Sequence, residues 1–272
     1  MSDIVTRSIT GFFIVTITLA AVYLSPYSCL LFLCLIHAGG WYEFIKLNAT
    51  GISSPFNIMI PFVLTLWLAI FGYMTMTGHN QSLPYVGFPV LLGAVIMILL
   101  FQRIPVEQIN RGGRTLFSGA AYITLPLSMG CLLFYGGDNY KYLILIPILL
   151  IWMNDVGGYL VGAKWGRHKI APSISPGKSL EGTLGGVVFA LGAAFALTRI
   201  WPEIKADYTW FLGITVPIFA LAGDLYESTP KRASGVKDSG NILPGHGGFL
   251  DRYDSFLFVI PVAALGYFIF TP

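Results

Sequence analysis

Apolar residues fall in long, unbroken runs along this chain, separated by short polar punctuation rather than alternating with it. A helix needs about 17 to 25 such residues to cross a hydrocarbon core. The pattern predicts nine of these helices, over 9–24, 28–46, 57–76, 85–104, 115–136, 142–163, 184–201, 209–228 and 254–270. Stretches such as ILIPILLIWM are apolar on every side, whereas a membrane β-strand turns alternate residues to a polar lumen. The fold class expected is therefore an all-α integral membrane protein, a polytopic bundle of about nine transmembrane helices.

Composition agrees, with 55% hydrophobic and 11% charged residues and a mean hydropathy of +0.72. Arg7 before the first run gives it the look of a signal peptide, but no small-residue cleavage site follows. Ser25, Pro26 and Tyr27 lead straight into the next run, so the first segment is expected to stay as a span.

Cations divide unevenly between the two sides of such a bundle. Arg7, Lys46, Arg103, Arg111, Arg114, Lys164, Arg167, Lys169, Lys178, Lys231, Arg232, Lys237 and Arg252 fall on the side of the N-terminus, 13 of the 16. Lys141, Arg199 and Lys205 fall opposite. The positive-inside rule then puts the N-terminus and the loops after the second, fourth, sixth and eighth spans in the cytoplasm. A multi-pass membrane protein with its site on the cytoplasmic face is the expected arrangement. The net charge of +3 is too small to suggest a nucleic-acid partner.

Cys29, Cys34 and Cys131 lie inside apolar runs without zinc-ligand spacing and read as packing residues. His37, in a span, and His79, in a short outward loop, receive no role. Nine of the 13 acids lie from Asp155 onward. Residues 1–140 are accordingly read as scaffold and lipid-facing wall, and 141–272 as the catalytic region, within one membrane unit.

The candidate chemistry is densest between Gly223 and Asp254, where charge at a bilayer edge is costly unless it serves a site. Asp224, Glu227 and Ser228 stand at i, i+3 and i+4, on one face at the cytoplasmic end of the eighth predicted helix. Pro230 should end or kink that helix, because its ring opposes the carbonyl of Tyr226. Asp251, Asp254 and Ser255 repeat the spacing at the start of the ninth, where a helix N-terminus favours negative charge. Hard divalent cations take one or two carboxylates plus phosphate oxygens and water, and phosphoryl or nucleotidyl transfer needs positive charge around phosphorus. Carboxylates beside Lys231, Arg232, Lys237 and Arg252 meet both needs, and the glycines of residues 244–248, PGHGG, let backbone amides approach an anion. Taken singly, each charge is more often an ordinary interfacial residue or turn former; the ordered set points to phosphate handling. Asp155, towards the inner end of a span with Asn154 beside it, is as readily an interhelical hydrogen bond as a site residue. Glu43 raises the same question.

The ordered elements KR, KDSG, PGHGG and DRYD between Ser228 and Asp254 resemble the signature of the phosphatidate cytidylyltransferases, the CDP-diacylglycerol synthases. Asn154 and Asp155, then SPGKSLEG from Ser175 to Gly182 with Gly185 and Gly186, resemble an upstream block of that family. The likeness covers about residues 150–258; the first five helices match in general character alone. It implies condensation of CTP with phosphatidic acid to CDP-diacylglycerol and pyrophosphate, with Mg2+ neutralising the phosphates, a second cation left open, and a homodimer as the compatible assembly. Carried over residue by residue, Asp224 and Asp251 are the expected metal ligands. Lys231, Arg232, Lys237 and Arg252 are the expected phosphate binders. Asp254 joins the catalytic set. Ser175, Lys178, Glu181, Asn154, Asp155, Asp238 and His246 are candidates for holding nucleotide; SPGKS is also consistent with a basic loop capping a helix through Ser179, and His246 with a turn cap.

Two rival readings remain at this point. A related CTP-dependent enzyme would act on a polyprenol or ether-lipid phosphate. An ion-coupled transporter would carry its charges near mid-bilayer and often in inverted repeats, whereas here they gather at one face.

Overall fold

A computed structural model describes residues 3–48, 54–77 and 115–271, apart from 116, 237, 241, 244 and 246. The predicted span over 85–104, together with His79, Lys237 and His246, lies outside the described residues.

The first two helices, α1 (Asp3–Leu24) and α2 (Pro26–Leu47), are divided by one residue. Pro26 disfavours helical geometry in the residue before it, and Ser25 is extended at φ −162°, ψ 157°. The Ser25 hydroxyl accepts from the Ser28 amide at 3.0 Å, and the Ser25 amide donates to the Ser28 hydroxyl at 3.1 Å. This reciprocal cap starts α2 where the polar punctuation predicts a boundary. Next comes α3 (Ser54–Met76).

From Phe117 to Trp165 the chain is helical for 49 residues. At 1.5 Å per residue that is about 73 Å, more than twice a hydrocarbon core, so one straight span is excluded. The run is broken instead. A π-helical turn (Ala120–Thr124), a short helix α4 (Leu125–Cys131) and a 3-10 stretch (Leu132–Asn139) precede α5 (Tyr140–Trp165). Gly137 makes the break at φ 56°, a conformation that suits glycine. The two spans predicted over 115–136 and 142–163 thus meet at this glycine.

A two-stranded antiparallel hairpin follows, β1 (Lys169–Ala171) and β2 (Ser175–Ser179), pairing Lys169 with Ser179 and Ala171 with Ser175. This corrects the all-α expectation in one place: the SPGKS segment runs extended, with Pro176 limiting its backbone, until the Ser179 hydroxyl accepts from the Gly182 amide at 3.2 Å and starts α6 (Leu180–Ile200). The fold is otherwise mostly helical.

The last two helices are α7 (Ala206–Ala233) and α8 (Leu250–Phe270). Pro230 does not end α7, which runs through it to Ala233. Its end is made by Gly235 at φ 71°, with the Gly235 amide donating to the Arg232 carbonyl (3.1 Å) and the Val236 amide to the Lys231 carbonyl (2.9 Å). These paired bonds are a Schellman cap, so glycine rather than proline sets the boundary. One added turn follows, and it carries Lys231 onto the face of Asp224 and Glu227.

Among the described residues six helical segments are long and apolar enough to cross a membrane, and Pro61–Met76 is a shorter apolar helix. Large side chains such as Phe12, Val188 and Ile218 point outward, while Leu33, Trp41, Ile146, Leu212 and Ile260 form a buried core drawn from α2, α5, α7 and α8. An outward apolar surface on helices suits lipid as the surrounding solvent.

Two helix contacts position the site. Helices α5 and α6 approach backbone to backbone: a Cβ on Gly157 would lie 2.7 Å from the Gly185 carbonyl, and one on Gly186 would lie 2.9 Å from that of Asn154. Small residues permit such contact between membrane helices. Helices α7 and α8 meet at Gly223, where a Cβ would lie 2.7 Å from the Asp254 carbonyl. His37, deep in the N-terminal part, bonds Thr65 (2.7 Å) and Thr124 (2.9 Å), and the Trp41 ring N–H donates to Thr124 at 3.0 Å. This network ties α2, α3 and the π turn together. The three cysteines are unpaired thiols, as expected of packing residues.

Candidate active site

The face of α7 presents Asp224, Glu227 and Lys231 in successive turns, and the first turns of α8 present Asp251 and Asp254 against them. All five line one cavity of about 440 Å³ with Asp155 of α5, Lys178 of β2 and Arg252. Its other wall is apolar, from Gly11, Ile14 and Val15 of α1, Phe32 of α2, and Ile148 and Ile151 of α5. A second cavity of about 220 Å³ is lined by Asn154, Gly158, Gly177, Ser179 and Thr183, and it shares Asp155, Lys178 and Asp224 with the first. The Lys178–Asp224 ion pair therefore stands on the shared wall of the two cavities, the second of which is completed by Tyr159, Pro217 and Leu221.

Two lysine–carboxylate systems organise this charge. Lys178 pairs with Asp224, whose other oxygen accepts from the Ser255 hydroxyl at 2.5 Å. The two side chains keep 27% and 23% of their surface exposed. Burial holds the Lys178 ammonium below the usual lysine range, while Asp155 and Asp254 pull the other way. Lys231 pairs with Glu227 one turn earlier and with Asp251 Oδ1 at 2.7 Å, and here the side chains of Lys231 and Asp251 are only 10% and 5% exposed. Asp251 Oδ2 also accepts from the amides of Ser239 (2.8 Å) and Gly248 (2.7 Å). Glu227 is buried, with Lys231 as the counter-charge for its carboxylate.

Several candidates sit elsewhere in the fold. Glu181, in the first turn of α6, accepts from the Arg167 amide (3.0 Å), the His168 amide (3.2 Å) and the His168 ring (2.6 Å); it clamps the turn before β1 and lines neither cavity. Arg232 points away from the cavity and donates to the carbonyls of Ile174 and Val236, both at 3.2 Å, which ties the end of α7 to the β-hairpin. Ser175 and Asp238 also lie outside the cavity walls. Asn154 donates to Asp155 at 3.3 Å. The Asp254 carboxylate accepts from the amide of Ser255 at 2.7 Å.

At the end of the PGHGG run the backbone amides turn to carboxylates of the protein itself. Gly245 and Gly247 adopt φ 74° and 80°, and the amides of Gly248, Phe249 and Leu250 are taken by the protein's own carboxylates, Asp251 and Glu43. Glu43, Glu227 and Ser255, which the sequence marks but to which it assigns no role, are components of the site. The i, i+3 and i+4 spacing held a signal for Glu227; Glu43 had none beyond an acid in a span.

Among the described residues no three acidic, histidine or cysteine side chains converge as a metal cluster. The donors on the cavity wall are hard carboxylate oxygens, which suit a cation bound through one or two carboxylates and phosphate. Charge of both signs at two helix ends thus lies beside an apolar wall, in a chain whose helices are long and apolar enough to cross a membrane.

Residues 5–270 match the Cytidylyltransferase family, and the chain belongs to it. It is similar to the phosphatidate cytidylyltransferase of Staphylococcus aureus (strain COL), 41% identical over 153 residues, covering 54% of this chain and 58% of the relative. It is 48% identical over 120 residues to that of Bacillus subtilis (strain 168), covering 43% and 44% of the two chains. With that of Staphylococcus epidermidis the identity is 38% over 179 residues, covering 63% and 67%. The chain spans roughly half to two thirds of the length of the curated relatives it matches.

Proposed function

We propose that this protein transfers CMP from CTP to phosphatidic acid, giving CDP-diacylglycerol and pyrophosphate in phospholipid synthesis. The observation that carries the reading is the Lys178–Asp224 pair on the wall shared by two adjoining chambers. The apolar wall of the larger one suits acyl chains, and the charged end beside it suits a lipid phosphate. The smaller chamber offers the Asn154 amide and the Ser179 and Thr183 hydroxyls beside the Tyr159 ring, which suits the nucleotide.

An oxygen of the lipid phosphate attacks the α-phosphorus of CTP, a new O–P bond forms, and the bond from that phosphorus to the β-bridging oxygen breaks. The electron pair leaves with pyrophosphate. Phosphate is already anionic near neutral pH, so positioning and neutralisation carry the catalysis rather than a strong base. Lys178 and Arg252 face the phosphates, and Lys231 fixes the carboxylates that surround them. Asp224 and Asp251 would hold magnesium, which would supply neutralisation of the crowded phosphate oxygens. Nine spans, a cytoplasmic N-terminus and site, a bacterial inner membrane and a homodimer belong to the same proposal. So does the division of the chain at about residue 140, although Glu43 and the α1 wall of the cavity give the N-terminal part a larger share than scaffold.

Purified protein in lipid–detergent micelles, given phosphatidic acid, magnesium and labelled CTP, is expected to form labelled CDP-diacylglycerol; Asp224→Asn is expected to lose it while remaining folded, and Asp251→Asn to lose it together with some stability, because Lys231 keeps Glu227 alone as its counter-charge. Activity that survives both changes would remove the metal assignment. No product from folded, CTP-binding protein would redirect the search to another lipid phosphate as acceptor.

A further inference from the structure

Glu43 belongs to α2, far in sequence from the charged segment, yet its side chain is buried at its far end. Its Oε1 accepts from the Phe249 amide at 2.9 Å, and its Oε2 accepts from the Leu250 amide at 3.0 Å and the Ser239 hydroxyl at 2.8 Å. Glu43 itself is 0% exposed. A Cβ on Gly240 would lie 2.5 Å from Glu43 Oε1, and one on Gly248 would collide with the same carboxylate, so two glycines make the room it occupies. A buried carboxylate without donors is strongly disfavoured; this one is satisfied by three, all from the segment that leads into α8.

Those donors interlock with the donors of Asp251. Ser239 gives its hydroxyl to Glu43 and its amide to Asp251. Gly248 gives its amide to Asp251, and the next two amides go to Glu43. Asp251 Oδ2 is thereby fixed by the same stretch of backbone that Glu43 grips, which leaves Oδ1 turned to Lys231. We infer that Glu43 is a positioning residue for this reaction: it holds Ser239 and the backbone of Phe249 and Leu250 so that Asp251 and Lys231 keep their places, without touching substrate. The inference rests on the proposed cytidylyl transfer for its catalytic readout and on geometry alone for its structural one.

The test uses the whole protein in lipid vesicles. Glu43→Gln keeps the shape but turns an amide nitrogen towards donors. Hydrogen exchange of peptides covering 239–250 is expected to rise at least about tenfold, with α5 and α6 unchanged. The kcat for CDP-diacylglycerol is expected to fall about tenfold or more, while KM for CTP stays within about threefold, because no substrate contact is removed. Should Glu43→Gln not fold, Ser239→Ala decides, since it deletes one donor to Glu43 and keeps the amide to Asp251; a smaller rise in exchange and a fall in kcat of about threefold is expected. Unchanged exchange in this segment, or raised exchange with unchanged kcat, would overturn the inference in either variant. If the parent forms no CDP-diacylglycerol at all, the proposed activity falls and the catalytic part of the inference with it; a parent that is active beside a variant with the parent's kcat overturns the inference alone.

Discussion

The two lysine–carboxylate systems use the same residue types and differ in what surrounds them. Lys231 is enclosed by Glu227 and Asp251, and Asp251 is pinned in turn by two backbone amides. Lys178 and Asp224 keep about a quarter of their side-chain surface open and stand on the wall of both cavities. An enclosed pair is costly to disturb because each remaining partner would be left as an uncompensated charge. An open pair gains little from its own attraction and can exchange a carboxylate for an arriving phosphate. In the proposed reaction the first system frames the site and holds Asp251 for the metal, and the second meets the substrates.

The sharpest break of this comparison is Lys231→Ala, which strands Glu227 and Asp251. It is expected to cost about 3–5 kcal/mol of stability and to remove activity with it, read by thermal unfolding in detergent. Lys178→Ala should do the reverse. Stability is expected to stay within about 1 kcal/mol, while kcat falls about 100- to 1,000-fold, the usual effect of deleting one preorganised charge partner of a reacting group. If both substitutions unfold the protein equally, the division between frame and contact is wrong.

Gly223→Ala tests the seam on which both systems depend. Its Cβ would press on the Asp254 carbonyl and on Ser255. Separation of α7 from α8 is expected to cost about 1–3 kcal/mol and to lower activity about tenfold, measured side by side.

Lys178 can also be followed by pH. Burial lowers its pKa, so its charged form is lost at lower pH than that of an ordinary lysine, and kcat/KM should decline on the alkaline side below the usual lysine range. Lys178→Arg keeps its charge throughout, and the alkaline limb should move upward even if the rate is lower. A limb that stays in place assigns it to another group.

The smallest effects concern the end of α7. Gly235→Ala must take φ 71° with a side chain and is expected to cost about 1 kcal/mol. Pro230→Ala, one turn earlier, should change stability by less than about 1 kcal/mol and activity by less than about twofold.

That last contrast marks where sequence reasoning succeeded and where it stopped. Apolar run length located the described helices, because hydrocarbon thickness dictates it, and Ser179 was legible as the cap of one. The i, i+3 and i+4 spacing set Asp224 and Glu227 on one face, and the resemblance over SPGKS brought Lys178 to the site. Proline was weighed locally as a helix stop, whereas the Schellman bonds at Gly235 carry α7 past it. The short hairpin was hidden because SPGKS suits a helix cap as well as a strand. Glu43 was out of reach for a different reason: its partners lie 196 to 207 residues away, and no local pattern encodes a contact of that span. Arg232 and Glu181 carry the residue types that phosphate and nucleotide sites favour, but the fold uses them to fasten the hairpin.

The central claim is that the α-phosphorus of CTP passes to a lipid phosphate at the Lys178–Asp224 wall. It is tested most directly by following label placed at the α- or the γ-phosphorus of CTP in vesicles containing phosphatidic acid. The account predicts α-label in the lipid fraction and γ-label in pyrophosphate, both dependent on Lys178. γ-Label entering lipid, or α-label remaining in water-soluble products from folded protein, would contradict it.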